Sequence, residues 1–510
     1  MRNRSLFITL VVVLSQLAGF IFFYSRSNKL EVPRGNNIDH QPPPNYHIHE
    51  EHKPAYEQKK QVEQKNNSES PQSEALYSHH FCVRNSIHET WKERSCMFSN
   101  ICFDVNKRQW HYFANVDNEL STFHTDFQGR SKTNFDEPHW VSLDSRGQFP
   151  WKADHIHSKT TIREYADKEK YDVIWDDRPT FLLRRHACGN AGHCLLEASG
   201  LIGHDMSLWS EFDINNRIIF MDACDCTETV AQISCGGGIT DQHRFDLCEK
   251  FTNAYVQGMS NNPIVNVPQL ELSQIQKDYS TKAVNPFVCH KRLMSGHGQL
   301  TPYGGQGFKM HASNSFRAVR YAILKKNNVK TPSIQDRYER IFKNKIFNVL
   351  VHYKKGRRTV LNLRECVNYI QNHHPVLRGS KIVYRNITFQ EPIKEQLEVL
   401  QSTDLFFTVF GSASVQSLLL PDGASLLTSP ACSYPGYDKC NTFETEVVHS
   451  HMTQYNDFSY TVESEEELVQ EPPENYYSIN AKCDRYADQF IRAATHAMNW
   501  VEVRHNKNGY

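Results

Sequence analysis

The sequence predicts an α/β protein of two Rossmann-like domains facing a cleft, carried behind an N-terminal membrane anchor and a flexible stem. Three observations lead there. The chain has 510 residues, more than one compact core accommodates. Its second half alternates short apolar runs with amphipathic stretches, the pattern of parallel sheets covered by helices. An uncharged apolar run also lies almost at the N-terminus, and 14 cysteines follow it.

The apolar run extends from Leu6 to Tyr24, LFITLVVVLSQLAGFIFFY, about the length that crosses a bilayer. Five residues precede it, and no small-x-small cleavage site follows it, so it reads as a signal anchor rather than a cleaved signal. Every cysteine lies beyond it, from Cys82 to Cys483, and the even count reads as disulfides in an oxidising lumen. The sequons at Asn66 (NNS) and Asn386 (NIT) fall on that same side and are the expected glycosylation sites. A single-pass type II protein of the Golgi or endoplasmic reticulum membrane follows. Lys+Arg and Asp+Glu both total 57, so nothing in the charge points to a nucleic-acid partner.

The expected organisation is a cytoplasmic tail over 1–5, the anchor over 6–24 and a polar, proline-containing stem over 25–80. A first Rossmann-like domain spans 81–310, a second 311–475, and a C-terminal helix over 476–510 packs back across the domains. In the first domain SNICFDVNKRQWHYFANV reads as strand pieces, YDVIWDD and PTFLLRR as two strands, HCLLEASGLIGHDMSLWSEF as a helix and RIIFMDAC as a strand. DLCEKFTNAYV is a helix and PIVNV a strand. In the second, IFNVLVHY, KIVYRNIT, DLFFTVF and ASLLTSP are strands, with NLRECVNYIQNH, IKEQLEVLQST and SVQSLLL as the helices between them. In the last segment Tyr486, Phe490, Ile491, Ala494 and Met498 share one helix face.

Chemistry concentrates at two strand ends. HYKKGRRTVLN supplies Lys354, Arg357 and Arg358 directly after one strand, and cations there can neutralise a diphosphate. FGSAS places Gly411, Ser412, Ala413 and Ser414 after another strand and ahead of a helix, where amides face an anion. Ligands of open α/β sheets bind beyond the carboxyl ends of strands, so the two loops can converge on one diphosphate. No GxxxxGK[ST] loop is present, and GGGIT at 236–240 lacks its lysine, so a nucleotide-sugar fits better than ATP. His193 and Glu197 lie four apart in GHCLLE, on one helix face, where either can serve as a general base. Asp176, Asp177, Asp222 and Asp225 resemble a metal-binding acidic pair only loosely and read as loop or helix-cap residues, and no metal is assigned. His290 and His297 sit in a glycine-containing loop without an evident role.

The ordered series GNAGHCLLEA, RIIFMDA, VCHKRLMSG, KKGRRTVLNLRE and IKEQLEVLQSTDLFFTVFGSASVQSLLLPDGA resembles glycosyltransferase family 61. Its animal members include lumenal O-linked N-acetylglucosaminyltransferases and its plant members xylosyltransferases. The resemblance implies a GT-B fold and an inverting enzyme that works without a metal or other cofactor. Its donor would be a UDP-sugar, with N-acetylglucosamine or xylose as the sugar, and its acceptor a glycan or glycoprotein hydroxyl. By position Arg358 matches a family arginine four residues before Asn362, and Lys354 occupies a second arginine position. Glu365 matches an acidic position, Glu395-Gln396 an acidic-Gln pair, and Gly411 the glycine of a His-Gly-Ala turn. Two positions depart from that turn: Phe410 replaces the histidine and Ser412 the alanine. Phenylalanine offers no hydrogen bond to a donor. The competing class is therefore a lumenal glycosyltransferase-like protein that binds glycan or nucleotide sugar without turnover.

Overall fold

A computed structural model of the protein describes residues 77–84, 94–115, 141–143, 150–185, 189–222, 241–296, 312–356, 358–433, 440–441, 456–470 and 476–507. All of them belong to one compact unit, Ser73–Tyr510. The expected anchor over 6–24, the stem as far as residue 76, Asn66, Arg357, Asp225 and His297 lie outside the described residues, and the folded part begins before the expected 81, because strand pairing already includes His79 and His80. Among the described residues no helix is long and apolar enough to cross a membrane.

The fold is mixed α/β, with two large sheets consistent with a glycosyltransferase fold. The first contains β1 (His79–Arg84), β2 (Arg94–Ser99), β3 (Ile101–Asp104), β4 (Gln109–Ala114), β5 (His155–Ser158), β6 (Asp172–Leu183), β7 (Arg217–Phe220), β8 (Val265–Asn266) and β9 (Pro286–Ser295). Its order is β8-β7-β6-β9-β3-β4-β5, with β2 pairing the far end of β9 and β1 pairing β2. The β8-β7-β6-β9 portion is parallel, as a Rossmann-like reading requires. The β1 to β4 portion is antiparallel. The reason is local. The connection at 105–108 is a tight turn, with Arg108 left-handed at φ 56°, too short for a crossover helix, while β2 and β3 run end to end along β9, interrupted only at Asn100.

YDVIWDD and PTFLLRR, expected as two strands, are one strand of 12 residues, β6. Pro179 is accommodated because the β6–β9 register slips between His290 and Arg292, and pairing with β7 begins only at Thr180. Asp176 is accordingly neither a loop nor a cap residue. It is buried in the strand, accepts from Arg178 Nε at 2.7 Å and from the Tyr279 hydroxyl, and lies 4.0 Å from Arg217. Burial opposes its ionisation, but the Arg178 hydrogen bonds, His290 and Tyr279 together hold its carboxyl below the ordinary range. Asp222 is likewise engaged structurally, accepting from Arg185 N and Nε at 2.8 and 2.9 Å. His290 is buried, 3.0 Å from the Thr180 hydroxyl.

The second sheet contains β10 (Ile346–Val351), β11 (Val376–Leu377), β12 (Ser380–Asn386), β13 (Leu405–Phe407), β14 (Ser425–Thr428) and β15 (Asn456–Ser459). Its order is β11-β12-β10-β13-β14-β15, parallel except for the β11 edge. Numbered along the chain, the five parallel strands stand in the order 2-1-3-4-5. Connections leave β10 and β13 toward opposite sides, so the switch point lies between them. Helices Leu363–His373 and Ile393–Gln401 follow β10 and β12, as their apolar spacing predicts. The C-terminal helix begins at Cys483, later than the expected 476, because Tyr476–Ile479 is a strand of a small separate sheet. Tyr486, Phe490, Ala494 and Met498 of that helix are buried against the second sheet, with Ile491 at the margin. Cys366–Cys483 ties it to the helix after β10, and Cys82–Cys96, Cys102–Cys289 and Cys432–Cys440 are also bridged. Asn386 is exposed at the end of β12.

The two sheets share one core, in which Phe181 and Ile218 from the first meet Leu350, Phe406 and Leu426 from the second. At the amino ends of β10 and β13 a buried charge cluster fixes the pairing. Asp404 is fully buried and accepts from Arg337 Nη2 at 3.1 Å, Arg340 Nη2 at 2.9 Å and the Asn348 amide at 3.0 Å. Asp404→Asn is expected to lower stability by about 3–5 kcal/mol, because Arg337 keeps its buried charge without a counter-ion. The fall in urea midpoint checks this; an unchanged midpoint would show that the cluster contributes nothing.

Candidate active site

The loop leaving β10 carries the basic stretch, and its backbone turns sharply. Gly356 and Arg358 are both left-handed, at φ 87° and 53°, an unusual conformation for arginine that bulky residues adopt at a cost. The Thr359 hydroxyl donates to Lys354 O at 3.1 Å and fastens the loop. Lys354 Nζ donates to Phe410 O at 3.1 Å and to Arg358 O at 3.4 Å, and so joins this loop to the one leaving β13. The Arg358 guanidinium lies 5.5 Å from the centre of the Phe410 ring.

The second loop is a turn more than a helix start. Gly411 has φ 136°, a value that side-chain-bearing residues rarely adopt, and a Cβ there would come within 3.3 Å of Lys354 Nζ. The α-helix that follows is only Ser412–Val415, and Gln416–Leu419 is 3-10. The helix expected over SVQSLLL is therefore a single α turn, too short for a substantial dipole. Ser414 closes it, its hydroxyl donating to Gly411 O at 2.7 Å and accepting from the Gly411 amide at 3.3 Å. The Ser412 and Ala413 amides belong to the first turn, where helical geometry supplies no carbonyl partner.

The first sheet contributes the segment after β6. Asn190 Oδ1 caps a helical run by accepting from Gly192 N at 3.0 Å, and it also accepts the Ser412 hydroxyl at 2.7 Å. That run is α over Ala191–His193, π over Cys194–Ser199 and α over Gly200–Trp209. Gly192 is needed for the approach, since a Cβ there would stand 2.9 Å from Ser412 Cα. One turn on, His193 Nδ1 is 3.1 Å from Glu197 Oε2. The His193 side chain is 24% exposed and that of Glu197 1%, so the carboxylate is enclosed and the imidazole reaches solvent. The pair fits a base held by an orienting carboxylate rather than two alternative bases. Among the described residues no group of three or more metal-ligating side chains assembles.

These elements enclose a cavity of about 350 Å³. Of the residues expected to bind a donor, Lys354, Arg358, Gly411, Ser412 and Ala413 line it. Ser414 is buried behind the turn it closes, while Glu365 and Glu395 are exposed on the first turns of their own helices, away from the lining. His193 and Glu197 also stand outside the lining, the former two residues beyond Ala191, which forms part of it. Unanticipated from sequence are His352, Tyr255, Phe389 and Gln416. His352 heads the basic stretch itself, which was its available signal. It is held neutral, its pKa pushed down to about 4 by burial and by the charge of Lys354. Burial raises the Tyr255 hydroxyl, which donates to Gln416 Oε1 at 3.3 Å and closes the cavity floor.

The cavity thus lies at the switch point of the parallel second sheet, where open α/β sheets bind their ligands, with Lys354 and Arg358 in its lining. Residues 256–427 match the family model Glycosyltransferase 61, and the match supports a family 61 glycosyltransferase. The matched segment includes both loops of the site and stops short of Asn190, His193 and Glu197. No curated protein matches the chain.

Gly192→Ala is expected to part the helical run from the Ser412 turn at a cost of about 1–3 kcal/mol, the range for overpacking a close contact. Thermal unfolding of the variant checks it. An unchanged midpoint would mean that the contact yields freely.

Proposed function

We propose that the protein is an inverting, metal-independent glycosyltransferase with a GT-B arrangement, moving a sugar from a UDP-sugar to a glycan or glycoprotein hydroxyl. In this reading it is a type II protein of the Golgi or endoplasmic reticulum, anchored through residues 6–24. The second sheet takes the nucleotide sugar, and the first brings the acceptor. N-acetylglucosamine and xylose are the expected sugars. The observation that carries the reading is the Asn190–Ser412 hydrogen bond, which seats the helix of His193 on the turn beside Lys354 and Arg358.

His193 takes the proton of the acceptor hydroxyl as the oxygen attacks the anomeric carbon. Glu197, 3.1 Å away, holds the ring and stabilises the imidazolium that forms. The bond from the anomeric carbon to the phosphate oxygen breaks on the opposite face, and UDP leaves with the electron pair. Lys354, Arg358 and the Ser412 and Ala413 amides meet that charge, with Arg357 as a further cation of the loop. Glu365 and Glu395 are assigned no part, being exposed on the first turns of their own helices.

The test uses the full chain in detergent, with UDP binding by calorimetry and UDP release from a panel of UDP-sugars. Arg358→Ala is expected to weaken UDP by about 1.5–3 kcal/mol, the range for a hydrogen bond to a charged group. His193→Ala and Glu197→Gln are expected to keep UDP affinity, with His193→Ala lowering turnover about 10²–10⁴-fold. Absence of UDP binding by the unaltered chain would remove the proposal. Tight UDP binding with no turnover of any sugar would leave a binding role in its place.

A further inference from the structure

One wall of the cavity carries no net charge and is built differently from the cationic loops. Phe389 projects from the connection between β12 and the Ile393–Gln401 helix with φ 61°, a left-handed conformation that is costly for an aromatic residue. The turn around it over-determines that conformation: Glu391 Oε1 accepts from the Thr388 amide at 3.0 Å and the Thr388 hydroxyl at 2.8 Å. The consequence is that the ring stands at the cavity, edge-on to His352 at 5.2 Å, and packs on the core shared by the two sheets.

Two neutral polar groups flank the ring. His352 uses Nδ1 on the Thr408 hydroxyl at 3.1 Å, which leaves Nε2 as the ring's other hydrogen-bonding atom. Gln396 is 4% exposed, and its Nε2 donates to Glu391 O at 2.7 Å, which leaves its carbonyl oxygen as an acceptor. An apolar ring face beside one imidazole nitrogen and one amide carbonyl suits a neutral hydroxylated ring, whose C–H face is apolar and whose rim hydrogen-bonds. It does not suit a phosphate, which the neighbouring Lys354 and Arg358 serve better. The transferred sugar must be reachable from both sheets, and Phe389 lies against the core that they share.

We propose that Phe389, His352 and Gln396 form the subsite for the sugar ring of the donor. Phe389 covers its apolar face, and His352 Nε2 and Gln396 Oε1 hydrogen-bond its hydroxyls. The inference rests on the nucleotide-sugar reading above and adds the part of the donor that this wall holds.

The test compares UDP with UDP-N-acetylglucosamine and UDP-xylose by calorimetry on the full chain, for the unaltered protein, His352→Gln, His352→Ala and Phe389→Leu. Each substitution is expected to weaken the bound UDP-sugar by about threefold to tenfold, the loss of one neutral hydrogen bond or ring contact. UDP itself should change less than twofold. Equal losses for UDP and UDP-sugar would overturn the subsite and assign the wall to the nucleotide. No change in either would also overturn it. His352→Gln preserves a polar side chain of similar reach, so it decides the matter if His352→Ala lowers the unfolding temperature. If the unaltered chain binds neither UDP nor UDP-sugar, the nucleotide-sugar reading itself fails, an outcome distinct from selective or unselective losses in the variants.

Discussion

The parallel pairing of β10 with β13 is the constraint on which the site depends. These strands are neighbours in space but not in sequence, joined through Val349–Leu405, Leu350–Phe406 and Val351–Phe407. Asp404 fixes their amino ends by gathering two arginines and the Asn348 amide in a buried cluster. A register slip of one residue would turn every side chain to the opposite face and separate the loops at the carboxyl ends. The basic loop and the Gly411 turn converge above because the strands are pinned below. Lys354 then completes from the top what Asp404 begins at the bottom, bonding Phe410 O across the switch point.

The departure at Phe410 changes how the seat is built. Where a histidine would offer a hydrogen bond, the ring lies under Arg358 and gives the guanidinium a platform. Such a contact is worth about 0.5–1 kcal/mol at exposed sites and more when desolvated. A guanidinium stacked over a ring presents its donors in one plane, the geometry that matches phosphate oxygens. Lys354 is a point charge, and two backbone carbonyls accept two of its three donors at 3.1 and 3.4 Å. It contributes field and architecture, while Arg358 has the geometry for directional recognition.

How much was legible in the sequence differs between the two sheets. In the second, apolar runs such as IFNVLV and LFF are buried on both faces and separated by amphipathic helices, so period and length identify them directly. The first was legible in its parallel half only. Whether the runs after Cys82 pair antiparallel depends on turn lengths that hydrophobic pattern does not encode. The merging of YDVIWDD with PTFLLRR was hidden by Asp176, Asp177 and Pro179, which look like a break until Arg178, Arg217 and Tyr279 are seen enclosing Asp176. In the site, charge and glycine marked Lys354, Arg358 and Gly411. Of the neutral lining only His352 had a signal, its place at the head of the basic stretch, whereas Tyr255 and Phe389 carry no pattern apart from the core residues around them. Glu365 and Glu395 were legible as acidic positions, but helix phase turns them outward.

The position of the His193–Glu197 pair follows from the same geometry. A carboxylate buried beside an imidazole fixes the ring's orientation and tautomer. Glu197 is enclosed because the run is π-helical from Cys194 to Ser199, wider than an α-helix and packed into the core shared by the sheets through Leu195 and Leu196. His193 stays partly exposed because Asn190 and Gly192 hold the start of the run against the Ser412 turn. One sheet thus supplies an imidazole backed by an enclosed carboxylate and the other a cationic loop. Asn190 carries both the cap of the first and the hydrogen bond to the second.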